Sequence, residues 1–220
     1  QIRLMEYLNN TPVIQFIEPN IEADDVIAFL SRFTKFRDWQ KVIVSSDKDF
    51  IQVLDDKTVL LRPIQNEVLN TNKVLDSYGI HPNNFALARA ISGDNSDNLK
   101  GVPGVGLETL RKRFPVLANE RGCDFQTIFE HCEKMLEESK LKVYTNILSN
   151  RDVVMSNYRI MQLALPSISA LTKRNINEVV DNHQPEFNKT KFKGMMFKDG
   201  FGEISLSDFF QTLNRIVASK

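Results

Sequence analysis

Lys41-Val42-Ile43-Val44-Ser45-Ser46-Asp47-Lys48-Asp49-Phe50-Ile51-Gln52 is the stretch on which the fold turns. Lys41 to Ser45 is apolar and β-branched, which predicts a buried strand. It runs into Asp47-x-Asp49, and Phe50 to Leu54 then reads as a short helix. Outward from this stretch, Thr58 to Arg62 predicts a further strand. On the N-terminal side, Val13 to Ile17 is apolar and partly β-branched and predicts another buried strand, followed by a polar turn at Glu18-Pro19-Asn20. Ala23 to Phe33 reads as a helix with Val26, Ile27, Phe29, Leu30 and Phe33 on its inner side, and Ile2 to Leu8 as a short helix. Strands alternating with helices imply an α/β fold with a parallel or mostly parallel sheet. In such sheets, ligands bind beyond the carboxyl ends of the strands.

The 220 residues are 42% hydrophobic and 25% charged, enough to bury a core. Lys plus Arg number 28 and Asp plus Glu number 28, which excludes binding to nucleic acid by total charge and leaves local patches to carry function. Two cysteines, Cys123 and Cys132, are too few for a disulfide framework and point to a reducing compartment. With three histidines, a zinc site is not expected. No apolar run reaches the roughly 18 residues a membrane span needs, so no membrane partner is expected. The chain starts at Gln1 rather than Met, which reads as part of a longer product.

Where the carboxylates sit is more telling than their number. Glu22, Asp24 and Asp25 follow one predicted strand and open a helix; Asp47 and Asp49 follow the next. Both groups therefore project from one edge of the sheet, and Asp94 and Asp97 lie between two later helices. Such carboxylates repel unless a cation neutralises them. Hard oxygen ligands of this kind suit Mg²⁺ or Mn²⁺, and two ions about 4 Å apart can promote phosphodiester cleavage. Each group alone has an ordinary reading: a helix dipole favours acids in its first turn, and Asp forms turns. Their joint occurrence, in order after strands, is what favours a metal site.

From about Asn72 the character changes to helices: Asn72 to Tyr78, Pro82 to Ile91, Leu107 to Phe114, Phe125 to Glu138, Lys140 to Leu148 and an amphipathic Leu206 to Val217. Between two of them lies Gly101-Val102-Pro103-Gly104-Val105-Gly106. Its glycines let the backbone turn tightly and approach a ligand. Its N–H groups can grip a phosphate, or its carbonyls a monovalent cation. Lys100, Arg111, Lys112 and Arg113 add positive charge nearby, giving a phosphate grip that reads no bases. The ordinary reading is a plain helix–turn–helix connection. Lys189, Lys191, Lys193 and Lys198, interleaved with Phe192, Met195, Met196 and Phe197, read as a strand or helix on the core with solvated lysines. No internal repeat or low-complexity segment is present.

Three ordered strings carry a resemblance. Ile21-Glu22-Ala23-Asp24-Asp25-Val26-Ile27-Ala28 resembles the E-A-D-D motif of 5′ nucleases, and Ser45-Ser46-Asp47-Lys48-Asp49-Phe50-Ile51-Gln52 their S-x-D-x-D-F/L-x-Q motif. Gly93-Asp94-Asn95-Ser96-Asp97-Asn98 with Gly101 to Gly106 resembles their G-D-x-S-D-N-x-x-G-V-x-G-I/V-G motif. The family is that of flap endonucleases and 5′–3′ exonucleases, with the phage ribonuclease H enzymes as the branch whose length this chain suggests. The resemblance covers roughly residues 12 to 115.

It implies a PIN-like α/β nuclease fold followed by a helix–three-turn–helix module, and Mg²⁺-dependent hydrolysis of DNA, or of RNA in RNA–DNA hybrids, near the 5′ end of flap, nicked or duplex substrates during replication and repair. By motif, Glu22, Asp24, Asp47 and Asp49 would be catalytic metal ligands. Asp94 and Asp97 would complete a second metal region, Asp97 directly or through water, with Asp25 a further metal ligand or a carboxylate just behind the ligands. Lys100, Gly101, Val102, Gly104, Val105, Gly106, Arg111, Lys112 and Arg113 would contact the duplex, with K⁺ in the glycine hairpin. Residues 1–78 would form the nuclease part, 79–165 the duplex-binding part and 166–220 a mainly helical extension. The family's first strand, its early aspartate motifs and its basic arch have no counterpart before Ile21. The sheet is therefore expected to be N-terminally incomplete, with an open edge and exposed apolar surface, its missing half or a replication protein as partner. The location implied is the cytoplasm of a bacterium or a phage-infected cell. The alternatives are a DNA-binding module that does not cut, and a different Asp-x-Asp phosphohydrolase. The duplex grip argues against the latter.

Overall fold

The computed structural model describes residues 1–19, 21–163, 168–202 and 204–218. Asn20 of the expected turn and the expected boundary between residues 165 and 166 lie outside the described residues. In chain order the elements are α1 (Ile2–Leu8), α2 (Ala23–Ser31), β1 (Lys41–Val44), β2 (Thr58–Arg62), β3 (Glu67–Leu69), α3 (Thr71–Tyr78), α4 (Pro82–Ser92) and the short β4 (Gly93–Asp94) and β5 (Leu99–Lys100). There follow α5 (Leu107–Arg113), α6 (Phe125–Glu138), α7 (Lys142–Ser149), α8 (Arg151–Met161), α9 (Ala170–Asn182), α10 (Lys189–Lys198) and α11 (Ser207–Ala218). The chain divides into two compact units, Ile21–Ser167 and Gln1–Asn20 with Ile168–Lys220. No described helix is long and apolar enough to cross a membrane.

The larger unit is built on a three-stranded sheet of order β1-β2-β3. β1 runs parallel to β2, with Ile43 opposite Leu60, and these two residues turn into the core. The link between them holds the Asp49–Val53 3₁₀ turn, whose Phe50, Ile51 and Val53 are buried. β2 and β3 are antiparallel, so the sheet is mixed rather than mainly parallel. The turn between them is too short for a crossover and closes with Asn66 at φ 49°. β1 was expected to be buried. Only Ile43 is; Val42 is 54% and Val44 63% exposed, because side chains alternate along a strand and theirs project from the face opposite Ile43.

α4 is the central helix of this unit. Pro82 opens it, and the Nδ1 of His81 accepts from the N–H of Asn83 as its cap. Phe85, Leu87, Ala88, Ala90 and Ile91 are buried between the 3₁₀ turn and α8. Asn84, fully buried, satisfies two carbonyls by donating to Leu117 and Asn119. α3 starts at Asn70, whose side chain accepts from Lys73, and ends on Gly79 at φ 63°. α8 was not expected from the sequence; its charged surface hides a narrow stripe of Val154, Asn157 and Met161.

In the smaller unit, α1 forms as expected, but Val13 to Ile17 is not a strand. Val13 is 41% and Ile17 72% exposed. An apolar run becomes a strand only where a neighbour completes its ladder bonds, and none does so among the described residues. The side chain of Gln15 instead donates to the Met5 carbonyl and to Asn9. The lysine-rich segment forms α10, capped by Asn188. Its Phe192 packs edge-on to Tyr7 at 5.1 Å and beside Phe187, Phe209 and Phe210. Arg3 chelates Asp199 through two bonds of 2.7 Å, and the Tyr7 hydroxyl donates to the same carboxylate.

Candidate functional site

Glu22, Asp24, Asp47, Asp49 and Asp97 line one cleft of about 370 Å³, together with Leu99, Ile160, Met161 and Leu163. Glu22 and Asp24 are there because α2 starts immediately beyond them, with Glu22 as its cap residue. Asp47 and Asp49 are there because β1 ends at Val44 and the chain turns at once. Ser45 Oγ accepts from the Asp47 N–H at 3.1 Å, and Asp47 Oδ1 from the Asp49 N–H at 2.8 Å. Two consecutive side-chain-to-backbone turns thus fix the Asp-x-Asp pair.

Asp94 and Asp97 come from the short β4–β5 hairpin that follows α4. α4 ends at Gly93 (φ 77°), where a Cβ would lie 2.2 Å from the Gly101 nitrogen; a Cβ on Gly101 would lie 2.2 Å from the Ser92 carbonyl. Only glycine at both positions lets β4 and β5 lie this close. Asp94 then turns the loop by accepting from the Ser96 N–H at 2.8 Å, and Asn98 closes it at φ 56°. Asp49, Asp94 and Asp97 offer oxygen atoms that all lie within 4.8 Å of one another. Asp25 is half-buried on α2 and is not among the cleft-lining residues.

Burial holds the Asp24 carboxyl above its ordinary value, and the charges of Asp47, Glu22, Asp25 and Asp97 push in the same direction. Burial likewise raises Asp49; Arg89 opposes this, and Asp47 and Asp97 add to it. The cleft therefore concentrates negative charge that its own solvation does not offset.

Two residues at this cleft carry roles that sequence reasoning missed. Arg89, on α4, donates to Asp49 at 3.3 Å and pairs closely with Asp94. Nothing in its sequence position marks it except a spacing of five from Asp94. Gln52 belongs to a motif but had no role. It is buried, donates to the Met161 carbonyl at 2.9 Å and accepts from the Leu163 N–H at 2.6 Å. It thereby pins the Ile160–Leu163 wall of the cleft to the turn that carries Asp49.

The glycine hairpin is anchored by its valines. The side chains of Val102 and Val105, expected among the duplex contacts, are buried at 3% and 4% exposure. Their N–H groups are used internally, to Ile91 and Val102. Pro103, Gly104 and Gly106 face outward, and a Cβ on either glycine would meet open space. Asn146 donates to the Pro103 carbonyl, and buried Asn157 to those of Ala90 and Lys100, tying the hairpin to α7, α4 and α8. Lys100, Arg111, Lys112 and Arg113 are exposed beside it. The stem of Arg111 lies against Gly79, so part of that side chain is committed to packing. Lys112 pairs with Glu108 at 3.1 Å.

A family model described as "5′-3′ exonuclease, N-terminal resolvase-like domain" matches residues 1–79. The chain is 40% identical over 102 residues to a 5′-3′ exonuclease of Buchnera aphidicola subsp. Schizaphis graminum, covering 45% of this chain and 36% of that protein. It is 30% identical over 146 residues to a 5′-3′ exonuclease of Aquifex aeolicus, covering 61% of this chain and 50% of that protein. A thermostable DNA polymerase I of Thermus aquaticus is 34% identical over 134 residues, 61% of this chain and 15% of that protein. The chain thus spans half or less of the length of these relatives. Among solved structures, the bacteriophage T5 flap endonuclease in complex with DNA and metal ions superposes with a TM-score of 0.62 at 18% identity, covering 76% of this chain and 62% of that one. The T5 5′-exonuclease with bound zinc gives 0.56 at 19% identity, covering 67% and 52%. These two likenesses establish the fold, a PIN-like 5′ nuclease core followed by a helical region. The family model over residues 1–79, the matched relatives and the three motifs all point to a likeness with 5′ nucleases.

Proposed function

We propose that this chain supplies the catalytic carboxylates and the duplex grip of a divalent-metal-dependent 5′ nuclease. Its reaction is hydrolysis of phosphodiesters near the 5′ end of flap, nicked or duplex DNA, or of RNA in a hybrid, during replication and repair. The observation that carries this reading is the convergence of Glu22, Asp24, Asp47, Asp49 and Asp97 on one cleft. These come from three separate segments, and a solvated surface has no reason to gather them.

The donor set fits a hard divalent ion. All its members are carboxylates, and Asp49, Asp94 and Asp97 place ligand atoms within 4.8 Å of one another. Glu22, Asp24, Asp47 and Asp49 would hold one Mg²⁺ or Mn²⁺, with Asp94 and Asp97 forming a second region and Asp25 adding charge behind them. When bound, such ions act as Lewis acids on the phosphoryl oxygens and lower the pKa of water. The chain's own residues orient the reactants. The two turns at Ser45 and Asp47 fix the carboxylate directions, and the Gln52-held wall of Ile160 to Leu163 borders the cleft on its apolar side.

The outward backbone of Pro103, Gly104 and Gly106 would face the phosphates, with K⁺ held by hairpin carbonyls and Lys100, Arg111, Lys112 and Arg113 adding attraction. In this reading residues 1–78 supply the nuclease part, 79–165 the duplex-binding part and 166–220 a helical extension, and the protein acts in a bacterial or phage-infected cell. The test is Asp47→Asn. It is expected to abolish cleavage of a 5′-flap substrate while leaving binding in Ca²⁺ nearly intact. An unchanged cutting rate would overturn the metal-ligand assignment.

A further inference from the structure

We infer that Arg89 is a resident counter-cation of the acidic cleft, a positioning residue that holds Asp49 and Asp94 in the metal-free protein and competes with a divalent ion for them. The inference rests on the metal reading above and goes beyond it. The Arg89 side chain is 13% exposed, and its partners Asp49 and Asp94 are 15% and 10% exposed. These are two of the three aspartates whose oxygens cluster within 4.8 Å. Both oxygens of Asp94 are engaged: Oδ1 accepts from the N–H and hydroxyl of Ser96, and Oδ2 from Arg89. An ion approaching Asp94 must therefore share Oδ2 with the guanidinium or displace it.

Position excludes the simpler roles. A group this buried is not a surface phosphate contact. A buried ion pair contributes little net stability compared with an apolar packing of the same volume, so stability alone does not account for an arginine here. What the guanidinium does supply is a fixed positive charge where carboxylates from three segments would otherwise repel. It keeps the cleft assembled without metal, at the expense of affinity for metal.

The experiment is Ca²⁺ titration by calorimetry, with thermal unfolding in EDTA and in Ca²⁺, on the wild-type chain, Arg89→Met and Arg89→Lys. Arg89→Met is expected to bind Ca²⁺ roughly tenfold tighter, since one unit charge close to the ion is removed. It is also expected to unfold at lower temperature in EDTA and to gain more from Ca²⁺ than wild type does. Arg89→Lys, which keeps the charge and secures folding if the methionine variant is too unstable, is expected to bind with an affinity between the two. Equal affinity in wild type and both variants would make Arg89 a packing residue and overturn the inference. Weaker binding in Arg89→Met would do so too, making the arginine only a clamp on the ligands. If neither wild type nor Arg89→Met takes up Ca²⁺, the metal reading itself fails.

Discussion

Gln52→Leu removes a clamp whose strength can be worked from its two bonds. The amide donates to Met161 and accepts from Leu163, at 2.9 and 2.6 Å, and all three residues are buried. Leucine keeps the volume but offers neither bond, so a carbonyl and an N–H lose their partners inside the protein. Each such loss costs about 1–3 kcal/mol. The pair therefore costs about 2–6 kcal/mol, which lowers Tm by roughly 4–24 °C for a chain of this size. Urea unfolding followed by far-ultraviolet circular dichroism reads the first quantity, and a thermal scan the second. Gln40→Leu is the control, because its amide also meets a carbonyl, that of Lys57, but at the surface. It is expected to change stability by less than about 0.5 kcal/mol. Equal effects of the two substitutions would refute the reasoning, since the clamp would then be no more than a solvated contact.

Gly93→Ala and Gly104→Ala separate close approach from backbone freedom: both glycines have positive φ, but only Gly93 has backbone atoms in the way. Gly104→Ala is expected to cost about 1–2 kcal/mol and Gly93→Ala to prevent native folding, as read by soluble yield and by urea unfolding. Burial and neighbouring charge raise the folded pKa of Asp24 above its ordinary 3.8, so its protonation favours the folded state. That contribution is complete below pH 3.8 and is lost as pH rises through the raised value. In EDTA, Asp24→Asn should therefore be more stable than wild type at neutral pH, and the difference should vanish near pH 3; a difference independent of pH would contradict the assignment. Arg111→Ala should weaken binding to duplex DNA and reduce the slope of log K against log salt by about 1, measured by fluorescence anisotropy at several salt concentrations.

The motifs made the gathered carboxylates legible through their chemistry and local order, although the strand expected before Glu22 and Asp24 does not form. Asp47 and Asp49 follow a strand that exists, and Glu22 and Asp24 open a helix that exists. What stayed hidden depends on partners distant in sequence. Arg89 looks like any helical arginine until α4 brings it beside Asp49, forty positions away. Gln52 reads as a motif letter until Met161 and Leu163 reach it. The valines of the hairpin look like part of a binding loop because its glycines do; that they point inward is decided by Ile91 and the core behind them. Val13 to Ile17 reads as a strand because composition records β preference but not whether a neighbour is available to pair with it. Among the described residues β1 pairs only with β2, and Val42 and Val44 lie exposed on it.

The proposed function is metal-dependent cleavage at the gathered carboxylates of a protein that grips duplex DNA. Its most direct test is cleavage of a 5′-labelled flap DNA in Mg²⁺ by the wild-type chain and Asp47→Asn, beside binding of the same substrate in Ca²⁺. A labelled product is expected from wild type that disappears in EDTA and with Asp47→Asn, while both proteins bind the flap more tightly than single-stranded DNA. Cleavage that survives the loss of Asp47, or binding that ignores the duplex, would contradict it.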